Sequence, residues 1–427
     1  MYLSEKPLTM KHFIYIILLF FSVSIHAQVL TPAKPEANGF SPERLKRIDN
    51  MVQSLVQQEG IPGAVVLIAR NGKIVYHQAY GYSDTETKKS MQKDNIFRIA
   101  SQSKAITSLA VMMLWEEGKF LLDEPVSKYI PEFKNPTVLK TFNAADSSYT
   151  TEPAGREITI RQLLTHTSGL DYPAIGSTEF KAIYAKAGVP SGIGNNNDVL
   201  ADKMKILGKL PLKHKPGERW TYGLNTDLLG YLVEIWSGMP FDQFLRKRIF
   251  DPLGMNDTWF YLPKDKYNRL VPVYSGEGGK IKKVTGEVYD NVNIDYPKTE
   301  GKYFSGGAGL SSTVEDYAKF LQLFLNNGQY NGVRLLSRKT IELMLTNQLT
   351  LPDASPVGLG FGLETSTNDF RSIVSLGTFS WAGAFNTHYW ADPKEKIIGL
   401  IFTNMYNTPH WNIGEKFKVL TYQAVND

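Results

Sequence analysis

Two serine–lysine pairs with the spacing Ser-x-x-Lys could carry nucleophilic chemistry in this chain. The first is Ser101 and Lys104, in "FRIASQSKAITSLAVMMLWEEGK", where a polar stretch turns into an apolar periodic one. A serine hydroxyl is a weak nucleophile near neutral pH and needs a base within hydrogen-bonding distance. Residues three apart on a helix share a face, so Lys104 meets Ser101 if Ser101 begins a helix.

The residues that follow this pair favour such a helix. Their apolar side chains repeat at the spacing of one buried helix face, at Ile106, Leu109, Ala110, Met113 and Leu114. A serine at the N-terminus of this helix would lie near free backbone N–H groups and the positive end of the helix dipole. Both suit an oxyanion that develops beside the serine.

The same spacing also fits an ordinary helix start, because serine is a favoured N-cap and lysine is common on helices. The second pair, Ser90 and Lys93, shows how easily the pattern arises. It lies in "DTETKKSMQKDN", with no apolar helix after it, and we predict a solvated loop there. Spacing alone therefore leaves both interpretations of Ser101 open.

The elements that must position the pair are strands at both ends of the chain. "GAVVLIARNGKIVYHQAYGY" predicts a hairpin, because Asn71 and Gly72 tolerate the positive φ angles of a two-residue turn. A second hairpin is predicted across Asp392 and Pro393. Helices are predicted after the N-cap Ser41 and at the C-terminus.

The middle of the chain reads mostly as helices. "TDLLGYLVEIWSGM" and "PFDQFLRKRIF" predict successive helices, the second ending before Pro252, and residues 258–305 read as irregular or short-stranded. We therefore expect an α/β (α+β) fold, with an antiparallel sheet built from both chain ends, flanking helices and an all-helical insertion at roughly 120–300. The domain is predicted to span residues 41–425, after a linker at 28–40. A cleft between the two parts is the expected ligand site.

Composition excludes several classes of function. The chain has 427 residues, 42% hydrophobic and 21% charged, and its net charge of +5 is not gathered into a basic stripe, so we expect no nucleic-acid partner. There is no cysteine, and the seven histidines have no metal-ligand spacing, so we expect neither a metal nor another cofactor. No Gly-x-Ser-x-Gly nucleophile motif occurs. His166, in "LLTHTSGL", is interpreted as a structural residue satisfied by backbone groups.

The first residues have the form of a secretory signal. "MKHFIYIILLFFSVSIHAQ", which starts at Met10, has a basic start, a short apolar run and a small residue at Ala27. We predict a signal peptide at residues 1–27, with Met10 as an alternative initiator, and an exported protein that is periplasmic or secreted. The apolar run is too short to favour a membrane span, and none is expected in the mature protein.

Several motifs in order resemble one known family. The first of these motifs is "SQSKAITSLAVMMLWEEGKFLLDEPVSKYIPEF". The others are "ITIRQLLTHTSGL", "KPGERWTYGLNTDLLGYLVE", "PLGMNDTWF", "GGAGLSSTVEDYAKF" and "FSWAGAFNTHYWADPKEKIIGLIFTN". Together they resemble the serine β-lactamase and penicillin-binding-protein superfamily, and within it the class C β-lactamase-like branch with family VIII carboxylesterases and D-aminopeptidases. The resemblance implies a β-lactamase/transpeptidase-like fold from about Leu45 to Val425.

The resemblance also implies roles for individual residues. Ser101 matches the acylated nucleophile, Lys104 the lysine of its motif, and Tyr222 the tyrosine of the second motif. The third motif falls on an edge strand that lines the cleft and contacts substrate, at Trp381, Ala382 and Gly383. The backbone N–H of Ala384 would pair with that of Ser101 as an oxyanion hole.

Two departures from the family pattern bear on the substrate. The second motif has Leu224 where β-lactamases of this branch have asparagine, and Asn225, one residue later, is the candidate substitute as a substrate-binding residue. The third motif begins with Trp381 instead of a lysine, so it offers no cation to a substrate carboxylate. Both departures resemble the esterases of the branch.

The sequence therefore predicts an exported serine hydrolase that acts through an acyl-serine on small esters. Its expected partner is a small-molecule ester or amide, and the alternatives within this class are a β-lactam or a D-alanyl peptide of the cell wall, cleaved by a β-lactamase, a D-alanyl-D-alanine carboxypeptidase or a D-aminopeptidase. An alternative of another class is a non-catalytic sensor with the penicillin-binding fold. The sequence leaves open which of Lys104 and Tyr222 is the general base.

Overall fold

The computed structural model describes residues 29–193, 197–289, 291–352 and 354–427. The predicted signal peptide, residues 1–27, lies outside these residues. Within them, no helix is long and apolar enough to cross a membrane.

The strands, in chain order, are β1 (Thr31–Pro32), β2 (Gly63–Arg70), β3 (Lys73–Asp84), β4 (Lys89–Ser90), β5 (Phe97–Arg98), β6 (Thr137–Asn143), β7 (Ser148–Pro153), β8 (Tyr274–Ser275), β9 (Lys282–Lys283), β10 (Glu287–Val288), β11 (Val292–Asn293), β12 (Ser311–Ser312), β13 (Gln329–Tyr330), β14 (Val333–Arg334), β15 (Gly362–Leu363), β16 (Phe379–Gly383), β17 (Thr387–Asp392), β18 (Ile397–Phe402) and β19 (Met405–Tyr406).

The α-helices are α1 (Pro42–Gln57), α2 (Ser103–Glu116), α3 (Ile160–Leu164), α4 (Thr178–Lys186), α5 (Leu200–Leu207), α6 (Asn225–Ser237), α7 (Phe241–Leu245), α8 (Asp251–Leu253), α9 (Val314–Leu325), α10 (Arg338–Met344) and α11 (Ile413–Tyr422).

Both ends of the chain build one central sheet, as predicted. Its strand order is β1-β3-β2-β18-β17-β16-β15, with β4 paired to β3. Strands β2 and β18 pair antiparallel at the centre, where Val66 lies opposite Ile401, so the first and last hairpins share one sheet. The β2–β3 turn has φ of 54° at Asn71 and 74° at Gly72, which confirms the predicted two-residue hairpin.

The segment predicted as a linker, residues 28–40, differs from the prediction. Thr31 and Pro32 form β1, which runs parallel to β3 and makes the sheet mixed instead of purely antiparallel. Phe40 is buried and bridges to Val425 near the end of the chain. This segment is held in place because β3 offers an open edge, where a short strand can add even with a proline in it.

Helices cover both faces of the sheet. Strand β2 is buried along its whole length because alternate side chains enter two separate cores. Val66 packs in one core with α1 and α11, and Leu67 packs in the other with α2 and α9. The confirmed N-cap Ser41, which accepts a hydrogen bond from the N–H of Arg44, starts α1 on the first face.

The insertion is not all-helical, which corrects the prediction. Strands β6 and β7 form a largely exposed hairpin inside it, and shorter strands follow at β8 to β11. "TVLKTFN" and "SYTTEP" are rich in β-branched and aromatic residues, which favour an extended backbone where no buried helix face is formed.

The helix expected to stop before Pro252 continues through it. A five-residue π-helical turn, Arg246–Phe250, joins α7 to α8, and Pro252 lies in the first turn of α8. Proline is tolerated there because the first N–H groups of a helix have no partner inside the helix. The prediction was wrong because a sequence pattern did not indicate this change of helix type.

Candidate active site

Ser101 lies in a tight turn that leads into the most buried helix of the fold. The turn is a single 3-10 turn, Ala100–Gln102, and α2 follows it from Ser103, with every residue up to Leu114 buried. Ala100 has φ of 41°, in the left-handed region that residues with a side chain seldom adopt. The hydroxyl of Ser103 accepts a hydrogen bond from the N–H of Leu310, which ties the start of α2 to the neighbouring chain segment.

Lys104 lies one turn from Ser101, on the same side of the chain. Its ammonium group donates to three oxygens, at 2.7 Å to the carbonyl of Gly307, 3.0 Å to the hydroxyl of Tyr172 and 3.4 Å to the hydroxyl of Ser101. Only 4% of the surface of Lys104 is exposed. An ammonium group has three N–H donors, so these oxygens fix its position.

Tyr222 reaches the same serine from the segment before α6. Its hydroxyl lies 2.7 Å from Oγ of Ser101 and donates to it. Its ring centre lies 4.4 Å from Nζ of Lys104, close enough for a cation–π contact. The structure therefore brings the three predicted catalytic residues, which are far apart in the sequence, within direct contact of one another.

Strand β16 carries the third motif alongside the turn of Ser101. Trp381 and Ala382 are half-buried, and Gly383 is buried. A side chain at Gly383 would place its Cβ 2.3 Å from the carbonyl of Ile99, so glycine is what allows the strand to approach the turn. Ala384 follows the strand, and its carbonyl accepts from Tyr289. The oxyanion hole between the N–H groups of Ser101 and Ala384 stays a prediction.

Asn225 is fully buried, and both ends of its amide are engaged. Its Oδ1 accepts from Ser168, and its Nδ2 lies 2.9 Å from Nδ1 of His166. The expected substrate contact of Asn225 stays a prediction, since in this structure its amide is buried and bonded to Ser168 and His166. This geometry gives Asn225 a positioning role: the ring of His166 lies 4.9 Å from that of Tyr222.

His166 is uncharged in this environment. Burial lowers the pKa of His166 to about 3, and the charge of Lys104 acts in the same direction. Its predicted structural role agrees with this, although its partner is the side chain of Asn225 and not the backbone.

Sequence reasoning missed Tyr172, which accepts from Lys104 inside the site. Burial raises the pKa of Tyr172 well above its ordinary value, so its hydroxyl stays protonated. No periodic pattern marks this residue, because it lies in the irregular segment between α3 and α4.

Sequence reasoning also missed Asp227, in the first turn of α6, which is fully buried. Burial raises the pKa of Asp227 to about 6, although Ser305, the charge of Lys104 and the N–H of Gly307 act to lower it. Neither carboxylate oxygen has a hydrogen-bond partner of normal geometry among the described residues. An acidic residue inside the apolar run "TDLLGYLVE" was the available signal.

Gly307 joins these groups. A Cβ at this position would lie 2.6 Å from Oδ2 of Asp227 and 3.0 Å from the hydroxyl of Tyr172. Only a residue without a side chain fits there, and this lets the Gly307 carbonyl reach Lys104. Lys104 is thus held by a shell of buried groups behind Ser101.

The arrangement suits acyl transfer. A nucleophilic hydroxyl lies within reach of an amine and a phenol, either of which can move its proton. In the described part of the chain, no group of three or more histidine, aspartate and glutamate side chains converges as a metal site would require.

Comparisons with known proteins agree with this geometry. A family model described as Beta-lactamase matches residues 48–419. Esterase EstB from Burkholderia gladioli is 28% identical over 377 residues, which cover 84% of this chain and 90% of the relative. Lovastatin esterase from Penicillium rubens is 29% identical over 385 residues, which cover 83% of this chain and 91% of the relative.

A solved structure gives the same result for the fold. The structure titled EstCE1, a hydrolase with promiscuous acyltransferase activity, superposes with a TM-score of 0.77 at 25% sequence identity. The match covers 89% of this chain and 99% of that one.

Proposed function

The chain belongs to the beta-lactamase family and is a serine hydrolase, and on that premise we propose that it hydrolyses small carboxylic esters through an acyl-serine intermediate. The observation that carries the proposal is the position of the Ser101 hydroxyl, 2.7 Å from that of Tyr222 and 3.4 Å from the amine of Lys104.

The proposed reaction has two halves. Oγ of Ser101 attacks the ester carbonyl carbon and passes its proton to whichever group of the pair is deprotonated, the phenolate of Tyr222 or the neutral amine of Lys104. That group then returns the proton to the oxygen of the leaving alcohol as the C–O bond breaks. Water then attacks the acyl-serine by the same proton route, releasing the carboxylic acid and restoring Ser101. The N–H groups of Ser101 and Ala384 stabilise the negative oxygen in both halves.

Trp381 supports an ester in preference to a β-lactam. A lysine on this strand helps to recognise the carboxylate of a β-lactam or a D-alanyl peptide, and β16 offers an indole at that position. Two of the relatives compared are named esterases, and the superposed structure is titled a hydrolase.

The second candidate is a β-lactam or D-alanyl peptide substrate, which the family's own description favours. A direct comparison separates the two. Purified protein starting at residue 28 is assayed with a nitrophenyl butyrate and with a chromogenic cephalosporin, and we expect turnover of the ester only. Rapid cephalosporin turnover without esterase activity would refute the ester proposal.

Acylation without turnover of either substrate would instead favour the sensor. Mass spectrometry after treatment with a fluorophosphonate tests this step, and we expect one adduct, on Ser101. An adduct elsewhere would contradict the proposed nucleophile.

We also propose that the protein is exported, on the form of residues 10–27. Expression of the full chain in a Gram-negative host, followed by fractionation and N-terminal mass analysis, tests this. A product that starts at Gln28 outside the cytoplasm is expected, and an uncleaved cytoplasmic product would overturn the proposal.

A further inference from the structure

Two tryptophans flank Tyr222. The ring of Trp220 stacks on that of Tyr222 at 5.8 Å and 18°, and Trp381 approaches it from β16 at 6.1 Å. Trp220 leaves 39% of its surface exposed. A large indole held against its neighbour and still open to solvent offers apolar surface to a ligand.

A cavity of about 590 Å³ opens between these two indoles. The facing loop residues that line it are mostly apolar: Leu351, Pro352, Pro356 and Val357. Gly362, on β15, also lines it, and the Trp381 indole lies close over this glycine, 3.6 Å from where a Cβ would be. The cavity is thus walled by rings on one side and by a proline-containing loop on the other.

The charges of the described residues at the rim of the cavity balance. Glu218 and Arg219 place one charge of each sign there, and Glu218 also lies 3.6 Å from Arg156. Among the described lining residues, shape and apolar surface are therefore the features that a ligand meets.

The volume of the cavity is that of a site for a ligand of several rings, since such sites span about 300–1,000 Å³. A methyl or ethyl group would leave most of it filled with water. Apolar area removed from water is the main source of binding free energy in a cavity of this kind.

We propose that this cavity takes the alcohol part of the ester substrate, that this alcohol is a bulky apolar ring system, and that Trp220 is the residue that selects it. The inference rests on the proposed function and names its substrate class more closely. An ester with a short acyl chain and an alcohol of this kind agrees with both the proposed function and the cavity.

The position of Tyr222 indicates which side of the ester enters the cavity. Its hydroxyl is in contact with Ser101, and in the proposed reaction it lies on the path that returns a proton to the leaving oxygen. Both tryptophans pack against the ring of this same tyrosine. A group that continues from the leaving oxygen past Tyr222 therefore enters the cavity.

Three esters test the assignment, all assayed by acid release: ethyl butyrate, naphthylmethyl butyrate and ethyl naphthylacetate. Ethyl butyrate carries no ring system, naphthylmethyl butyrate carries a naphthyl ring on the alcohol side, and ethyl naphthylacetate carries it on the acyl side. The wild type is compared with Trp220→Ala, which removes one wall, and with Ser355→Trp, which fills the cavity from an exposed position on its lining. Trp411→Ala is the control, because Trp411 is also exposed (48%) but packs against His388 beside α11.

The measured quantity is the ratio of kcat/KM for naphthylmethyl butyrate to kcat/KM for ethyl butyrate. We expect this ratio to fall about tenfold or more in Trp220→Ala and in Ser355→Trp, and to stay unchanged in Trp411→Ala. The ratio is internal to each variant, so a general loss of activity through Tyr222 does not affect it.

An unchanged ratio in both cavity variants would overturn the assignment. So would a selective loss of ethyl naphthylacetate, because that places the ring on the acyl side. If the wild type hydrolyses ethyl butyrate but the ratio never moves, only the cavity assignment fails. If it hydrolyses no ester, the proposed function fails and the assignment with it.

Discussion

The chain contains Ser-x-x-Lys twice, and the two copies differ in everything except their spacing. Ser90 ends the two-residue edge strand β4, and both Ser90 and Lys93 are exposed. Ser101 precedes a helix that is buried from Ser103 to Leu114, and Lys104 is held by a carbonyl, a phenol and the serine itself. Reactivity therefore comes from the groups around the pair and not from the motif.

The backbone explains the difference. Positions three apart face the same way on a helix, but on an extended strand side chains alternate, and Lys93 lies beyond the end of β4. Solvent around Lys93 also competes for its N–H donors, whereas Lys104 has only protein oxygens to meet.

The sharpest test of the comparison is removal of each serine. In Ser101→Ala we expect ester turnover to fall at least about a thousandfold, because no nucleophile remains to form the acyl-enzyme. In Ser90→Ala we expect the rate of the wild type. Measured kcat with a nitrophenyl ester checks both, and similar rates in the two variants would remove the distinction between the copies.

The lysines form the next test. We expect Lys104→Ala to lower kcat about a hundredfold or more, since it removes a proton carrier and the donor that holds Ser101. Lys104→Arg is expected to fail as well, because a planar guanidinium does not match three oxygens placed around an ammonium. Lys93→Ala is the matched control and should leave kcat unchanged. A Lys104→Arg variant with full activity would show that charge alone suffices.

Much of the fold could be predicted because its signals are local. Asn71-Gly72 fixes a turn by its own backbone preferences, and Ser41 caps a helix with its own side chain. The hairpin of β6 and β7 and the π-helical turn before Pro252 were missed, since each depends on which competing local geometry the surrounding structure permits.

The site also has residues that the sequence could predict and residues that it could not. Spacing placed Lys104 near Ser101, but only the resemblance to a family added Tyr222, because periodicity within one element does not show which distant segment meets it. Tyr172 and Gly307 stayed hidden, as both lie in irregular segments whose position the packed fold decides. The second Ser-x-x-Lys lacks any such shell, and its polar surroundings, with no apolar helix after it, indicated this locally.

A buried carboxylate marks the first copy and not the second, which gives a pH-dependent test. Since burial raises the pKa of Asp227 to about 6, the folded protein holds its proton more tightly than the unfolded chain. As the pH rises from about 4 to above 6, Asp227 therefore lowers the free energy of unfolding, by roughly 3 kcal/mol in all. Lys104, Tyr172 and Tyr303 are the charged or titratable groups around it.

In Asp227→Asn we expect the free energy of unfolding, relative to the wild type, to be higher at pH 8 than at pH 4. Denaturant unfolding at the two pH values measures this. Asp94→Asn is the control beside the second copy, because Asp94 is exposed and its ion pair with Arg269 contributes little. A difference between Asp227→Asn and the wild type that does not depend on pH would contradict the buried charge.

The smallest expected effect concerns the support of Lys104 and not Lys104 itself. The hydroxyl of Thr107 donates to the carbonyl of Gly306 at 2.8 Å, next to the carbonyl that holds Lys104. Thr107→Val leaves the buried carbonyl of Gly306 without this donor. We expect the free energy of unfolding to fall by about 1–3 kcal/mol, and kcat to fall several-fold at unchanged KM. Thr85→Val removes a longer and only part-buried contact, at 3.3 Å from the hydroxyl of Tyr274, near the second copy. It should cost stability without changing kcat, so a fall in kcat for both variants would mean that the buried shell does not position Lys104.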